Sequence, residues 1–248
     1  MSELPSLPLT MSWHQEMGVI AKYIKQKASD AAPLSILEAG CGQKWDVDLT
    51  GTQFVLTGVD VDEAALQLRM NVAKDLDEII VGDLRSVQLP DSGYDVIYCS
   101  YVLEHITGAE GVLGNFKKWL KPGGIIIIQI PDPFSVKGFV TRKTPHWFHI
   151  FFYRYVTGLK NAGKPGYAPY PTHYDAVVSR RGMREFCRRN NFAIKAEYGC
   201  GGRTHGRGLI RLAVAAVQKA MSVLSLGALS SRHDDLIYIL QKEPLAID

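Results

Sequence analysis

Residues 37–48, LEAGCGQKWDVD, come directly after a short apolar run and combine an acidic residue, two glycines and a polar loop. The preceding segment opens with Pro33 and reads as a buried strand that ends at Gly40. Glycines allow a ligand to approach the backbone closely, because they carry no Cβ. The stretch is therefore typical of a ligand-binding turn at the carboxyl end of a strand.

Strand and helix patterns alternate on either side of this turn, over residues 12–131. Strands are predicted at PLSILEAG, QFVLTGVD, EIIVGD, YDVIYCS and IIIIQIPDP, and helices at SWHQEMGVIAKYIKQKASDA, DEAALQLRMNVAKD and EGVLGNFKKWLKPGG. Two later strands, AIKAEYGC and DDLIYILQKE, bring the number to seven. The alternation predicts an α/β fold with a doubly wound, mostly parallel, Rossmann-like sheet.

Two segments interrupt the alternation within what we expect to be a single domain, residues 1–248. Residues 132–179 follow strand five and are rich in aromatic residues, Pro, Gly and His, with little periodicity, so we expect an irregular substrate lid there. Residues 205–228 form an extra amphipathic helix between the last two strands. Packing on the core or at an interface, for example in a homodimer, is favoured for this helix over contact with a membrane.

Composition places the chain among globular proteins of the cytoplasm. There is no signal-peptide pattern, and no apolar run approaches the roughly 20 residues that span a bilayer. The four cysteines show no CxxC spacing, which favours reduced thiols. Residues 1–140 carry 11 Lys/Arg and 18 Asp/Glu, whereas residues 141–248 carry 17 and 7. The basic half either faces an anionic partner or is simply a solvated surface.

The chemistry of the predicted strand ends excludes two common nucleotide sites. A dinucleotide fingerprint counted from Gly40 needs a third glycine where this chain has Trp45, and the P-loop pattern is absent. Glu38 would repel a pyrophosphate but attract a cationic amino group, while Asp60 can accept from two ribose hydroxyls. A phosphate-free nucleoside that carries an ammonium and a sulfonium fits these charges better.

Four motifs in order resemble the class I S-adenosylmethionine-dependent methyltransferases: ILEAGCG, VLTGVDVDE, VGDLRSVQLPDSGYDVIYCSYVLEHI and LKPGGIIIIQIPDP. They cover residues 34–133, about 40% of the chain. The resemblance implies S-adenosyl-L-methionine as cofactor. In that family the methionine part of the cofactor would be lined by Glu38, Gly40 and Gly42, with Ser100 at its end. Asp60 would hold the ribose hydroxyls. The adenine would be surrounded by Val61, Asp83 and Leu84.

The chain departs from relatives of this family at two informative positions. Lys44 stands where the family often has a third glycine, and this cation either weakens cofactor binding or points to solvent. Tyr101 stands where some quinone-pathway members carry an additional metal-binding carboxylate, so we expect no metal. The motif after strand four, CSYVLE, also lacks the tetrad of amino-directed nucleic-acid methyltransferases, which argues against a nucleic-acid substrate.

The methyl acceptor is expected to be a small molecule, and an oxygen nucleophile would need a general base. The candidate bases are His105, just past strand four, and His146, His149 and His173 in the lid. We therefore predict O-methylation of a secondary metabolite, lipid or saccharide. Methylation at nitrogen or carbon, or an inactive cofactor-binding partner subunit, are the alternatives.

Overall fold

The fold is built on one mixed sheet of eight strands in the order β1-β7-β8-β6-β5-β2-β3-β4, seen in a computed structural model that describes residues 6–42, 44–156, 158–164, 169–201 and 209–243. Strand β8 runs antiparallel to β6 and β7, and the other pairs are parallel. The strands are β1 Leu9–Thr10, β2 Leu34–Ala39, β3 Phe54–Asp60, β4 Glu78–Val81, β5 Tyr94–Ser100, β6 Leu120–Pro131, β7 Phe192–Cys200 and β8 Asp235–Lys242.

Helices cover both faces of the sheet, as a doubly wound fold requires. They are α1 Trp13–Lys25, α2 Glu63–Leu68, α3 Ala109–Trp119, α4 Val136–Lys143, α5 His146–Phe151, α6 Arg180–Arg189 and α7 Leu209–Leu224. Helix α2 runs on into a π-helical turn, Arg69–Ala73, and Leu103–His105 form a 3₁₀ turn after β5.

Neighbouring residues along the central strands belong to two different hydrophobic cores, one on each face of the sheet. Ile97 and Ile126 pack with Phe116 of α3 on one face, and Ile127 packs with Ile20 of α1 on the other. Because successive side chains of a strand point to opposite faces, continuous apolar runs are needed where both faces are covered. This explains the unbroken IIII of β6.

All seven predicted strands are present, and the doubly wound, mostly parallel sheet is confirmed. The eighth strand, β1, is a two-residue addition that pairs with β7 at the sheet edge. Its LT dipeptide is too short to give a periodic signal. Ser12 caps α1, since its side chain accepts from the Gln15 amide at 3.3 Å.

The lid is more helical than predicted, and the extra helix is present between β7 and β8 as α7. Residues 136–143 and 146–151 are helical, although they show little periodicity, because Ser135 caps α4 and Pro145 separates α4 from α5. None of residues 212–224 of α7 is buried, so this part of the helix does not pack into the core. Tyr167 of the lid and residues 205–208 of the predicted extra helix lie outside the described residues.

Along the described part of the chain, every helix is too short or too polar to cross a membrane. All four cysteines are buried and carry free thiols.

A buried arginine ties the first two βα units together. The guanidinium of Arg69, which is fully buried, donates to Glu38 Oε2 at 2.7 Å, to the carbonyl oxygen of Cys41 at 2.8 Å and to Asp75 at 2.9 Å. Burial acts to lower the pKa of Arg69, but the carboxylates of Glu38 and Asp75 more than offset this effect and raise it. Arg69 therefore stays charged and fixes the loop that begins at Gly40.

Replacing Arg69 by Met should destabilise the fold by about 3–5 kcal/mol, because it leaves the Glu38 carboxylate buried without its partner. Denaturant unfolding measures this change. The double variant R69M/E38Q should recover part of the loss, and Arg188→Met, which breaks only the exposed pair with Glu185, serves as the control. Equal midpoints for R69M and the Arg188 variant would contradict the assignment.

Candidate functional site

The two glycines after β2 have different structural tasks. Gly40 adopts φ +71°, and a Cβ there would lie 2.3 Å from Cγ2 of Val102, so only glycine lets the β2 and β5 loops touch. Gly42 adopts φ +55°, and no atom of the described residues, its chain neighbours aside, comes within 4 Å of the place where a Cβ would stand. Gly40 thus serves close packing, and Gly42 leaves the backbone open to a ligand.

Asp60, at the end of β3, braces this loop. Its carboxylate accepts from the Gly42 amide at 3.0 Å and from the Asp62 amide at 2.9 Å. Each carboxylate oxygen has more than one lone pair, so acceptor capacity is left for a ribose diol. The next residue, Val61, is 69% exposed and offers an apolar surface beside it. These residues fit the roles that the resemblance implies.

Glu38 requires a correction to the electrostatic argument made from the sequence. Its carboxyl group is buried and bonded to Arg69; burial raises its pKa while the Arg69 guanidinium opposes that rise, so Glu38 is not a bare anion that waits for a cationic ligand. The effect of Glu38 on the loop is indirect, because Arg69 joins it to the Cys41 carbonyl. Sequence reasoning missed Arg69, and no spacing rule marks an arginine in a helix as buried.

The residues expected around the adenine are engaged with protein partners. The Asp83 carboxylate is held by the Arg85 guanidinium, with Nε 3.0 Å from both oxygens, and these hydrogen bonds lower the pKa of Asp83. The Leu84 carbonyl accepts from Asn115 at 2.9 Å. Asp83 and Leu84 follow the end of β4, and their contacts with adenine remain predictions.

Two further predicted positions are settled in part. Ser100 donates to Gln129 Oε1 at 2.9 Å, at the end of β5. Lys44 pairs with Asp46 at 2.7 Å, and its side chain is 73% exposed, so this cation points to solvent.

The loop after β5 holds a strained residue and a buried acid. Tyr101 adopts φ +55°, a left-handed conformation that is uncommon for a bulky residue and is concentrated at functional sites. Its hydroxyl lies 3.2 Å from Asp235. Glu104 is 2% exposed, and its Oε2 has no hydrogen-bond partner in the part of the chain that the structure describes. Burial raises the pKa of Glu104 to about 8, so this carboxyl is mostly protonated at neutral pH.

His105 is oriented by the lid. Its Nδ1 lies 2.6 Å from the Pro171 carbonyl oxygen, which can only accept, so Nδ1 carries the proton. In the neutral ring the lone pair is therefore on Nε2, which lies 3.8 Å from Glu104 Oε1. Burial is the main cause that lowers the pKa of His105, and the nearby His173 adds to it.

The three lid histidines are brought together. His146, His149 and His173 line one cavity of about 420 Å³ between the α4–α5 helices and residues 171–174. The amide of His173 donates to the Glu104 carbonyl at 2.7 Å, so this cavity is joined to the loop that holds His105. Across the described ranges, no group of three or more His, Cys, Asp or Glu side chains has an arrangement that could hold a metal ion.

Sequence reasoning also missed His233. Its Nε2 lies 2.9 Å from Asp132 Oδ2 and its Nδ1 3.0 Å from Ser230 Oγ, and the side chain is 10% exposed. His233 comes just before β8, which runs antiparallel to its neighbours. The start of such a strand lies at the same edge of the sheet as the ends of the parallel strands, so this position could have indicated that His233 lies near the site.

Comparison with known proteins identifies the family. Residues 12–197 match the model of a methyltransferase domain. A probable S-adenosylmethionine-dependent methyltransferase of Mycolicibacterium smegmatis is 26% identical over 52% of this chain and 49% of its own length. A ubiquinone biosynthesis O-methyltransferase of Rickettsia bellii is 32% identical over 46% and 48%. Phosphoethanolamine N-methyltransferase 3 of Arabidopsis thaliana is 31% identical over 38% and 20%. The chain thus spans about half or less of the curated relatives it matches.

Solved structures agree on the fold alone. A S-adenosylmethionine-dependent methyltransferase from Methanosarcina mazei superposes with a TM-score of 0.56 at 16% identity, over 90% of this chain and 97% of that one. A [4+2]-cyclase, SpnF, gives a TM-score of 0.56 at 15% identity, over 94% and 83%. With the sheet order, the glycine loop and the family match together, the chain belongs to the class I S-adenosylmethionine-dependent methyltransferases.

Proposed function

We propose that this chain transfers a methyl group from S-adenosylmethionine to an oxygen atom of a small molecule. The observation that carries the proposal is the open backbone at Gly42, braced by Asp60 at the ends of β2 and β3, in a chain of this family. When bound, the cofactor supplies an electrophilic methyl group on a sulfonium whose departure leaves a neutral thioether. The protein's own residues then have to hold, orient and deprotonate the acceptor.

The fit of the cofactor rests on three features of the crevice. Gly42 leaves room beside its backbone, Asp60 offers acceptor oxygens for a diol, and exposed Val61 offers an apolar surface for a base. The guanidinium of Arg69, which pairs with Glu38 and Asp75, fixes the loop through the Cys41 carbonyl. A nucleoside without a pyrophosphate can make all of these contacts.

Asp60→Ala should weaken binding of S-adenosylhomocysteine about 10-fold to 150-fold, since hydrogen bonds to a charged group are worth roughly 1.5–3 kcal/mol. Isothermal titration calorimetry measures the affinity. Glu63→Ala, which removes an exposed carboxylate three residues away, is the matched control. Equal affinity of the Asp60 variant and the control would remove Asp60 from the site.

His105 has the properties of a general base among the four predicted candidates. Its Nδ1–H is fixed on Pro171, and its lowered pKa keeps Nε2 unprotonated at neutral pH. Protonated Glu104 contributes to this state, because a charged carboxylate 3.8 Å away would instead raise the pKa of the imidazole. Glu104 therefore stays neutral, and His105 accepts the proton of the acceptor hydroxyl.

A His105→Ala variant should lose about 10²–10⁴-fold in turnover. In the native chain the rate should rise with pH through a pKa below 6.5 and then level off, because only neutral His105 accepts a proton. The measurement is transfer of radiolabelled methyl groups from the cofactor into a small-molecule extract. His14→Gln, on the exposed face of α1, is the control. If His105→Ala keeps both the turnover rate and the rise of the rate with pH, His105 is excluded as the base. Methylation of a nitrogen atom that binds in its neutral form would then be the remaining explanation.

The raised pKa of Glu104 has a consequence for stability. Between the ordinary pKa of 4.5 and about 8, the folded chain retains a proton that the unfolded chain releases, so its contribution is full below this window and is lost as pH rises through it. Glu104→Gln removes this titration. The stability of the variant relative to the native chain should therefore increase with pH across the window in denaturant unfolding. Parallel stability profiles would show that Glu104 ionises normally.

A further inference from the structure

The lid cavity concentrates positive charge. Of the ten residues that line it, Arg142 and Lys143 are cations, three are the histidines His146, His149 and His173, and none is acidic. A site with these groups is electrostatically favourable for an anion and unfavourable for a cation. This composition differs from that of the crevice at the ends of β2 and β3, where Asp60 and Glu38 lie.

The neutral lining adds hydrogen-bonding groups. Thr141, Thr144 and Thr172 contribute hydroxyls. The Thr144 hydroxyl donates to the Val140 carbonyl at 2.7 Å, so it accepts from Nε2–H of His149 at 2.7 Å. This bond fixes the His149 ring, which stands 6.1 Å from the ring of His146. The two imidazoles are therefore held close together, and His146 disfavours the charged form of His149.

An oxyanion relieves that conflict. Burial, with His146 as the second cause, lowers the pKa of His149, and a bound anion would stabilise the charged form instead. A phosphoryl group offers three acceptor oxygens and up to two negative charges, which matches two cations and several ring N–H groups better than the two oxygens of a carboxylate.

We propose that the lid cavity binds a phosphoryl group of the methyl acceptor. This inference rests on the proposed function, because it names the class of molecule that is methylated. The cavity wall at residues 171–174 is bonded to the loop after β5 through Pro171 to His105 and through His173 to Glu104. An acceptor anchored by its phosphoryl group therefore has its remaining atoms next to the proposed base.

The phosphoryl group has two sources, a soluble phosphate ester or the head group of a lipid. Next to the cavity, α5 and the turn after it expose Trp147 at 68%, Phe151 at 50% and Tyr155 at 73%. Aromatic side chains of this kind suit the interface between lipid and water. The shared chemistry is the phosphoryl group, and the experiment separates the sources.

The test is binding to the cofactor-free chain, with inorganic phosphate as the first probe and vesicles of phosphatidylcholine with or without phosphatidic acid as the second. Saturable binding of phosphate by calorimetry, weakened about tenfold or more in the double variant R142Q/K143Q, is the expected result. Preference for the phosphatidic acid vesicles, lost in the same variant, supports a lipid source instead. The control double variant R181Q/K195Q removes two exposed cations elsewhere and should bind as the native chain does.

Two outcomes overturn the inference: neither probe binds, or the control variant loses as much affinity as R142Q/K143Q. Binding of S-adenosylhomocysteine to the same samples distinguishes this failure from failure of the proposed function. If the thioether nucleoside still binds, only the phosphoryl site falls. If it does not bind even to the native chain, the methyltransferase proposal falls with it.

Discussion

The ionic contact between Arg69 and Glu38 is the constraint on which the crevice depends. A guanidinium that is fully removed from water needs partners for its N–H groups, and here the partners are two carboxylates and the Cys41 carbonyl. These acceptors come from the end of β2, from the loop after it and from the loop before β4. Arg69 thus fixes the backbone just before Gly42 through the Cys41 carbonyl, and Asp60 at the end of β3 accepts from the Gly42 amide.

The sequence predicts the cofactor-binding half of the molecule well, because the residues of that half lie at the ends of strands that short stretches of sequence already indicate. Seven strands follow from apolar runs, and Gly40, Gly42 and Asp60 lie at strand ends, so the parallel sheet brings them to one edge without further information. The family assignment is confirmed by the match over residues 12–197. The roles of individual cofactor residues remain predictions, supported for Gly42 and Asp60 by the geometry of the loop.

The acceptor half could not be predicted in the same way, because its contacts span long sequence separations. His105 meets Pro171, and Asp132 meets His233, and neither pair has a spacing that a periodic pattern reveals. Arg69 lies within a predicted helix, and helix periodicity alone does not show that a π-helical turn buries it. The lid helices were missed for a different reason: α5 buries none of its side chains, so an apolar stripe was never required.

The charge asymmetry along the sequence acquires a spatial meaning from these contacts. The acidic half contains the loops around Gly42, where the sulfonium-bearing nucleoside is proposed to bind, and the basic half contains Arg142, Lys143 and the lid histidines. Two acids that lie near this basic half are bonded elsewhere: Glu197 pairs with Arg180 and Arg184, and Asp132 is hydrogen-bonded to His233. The cations of the cavity have no such acidic partner among its lining residues. A cationic cofactor and an anionic acceptor would therefore each meet groups of the opposite charge, which disfavours binding either ligand in the place of the other.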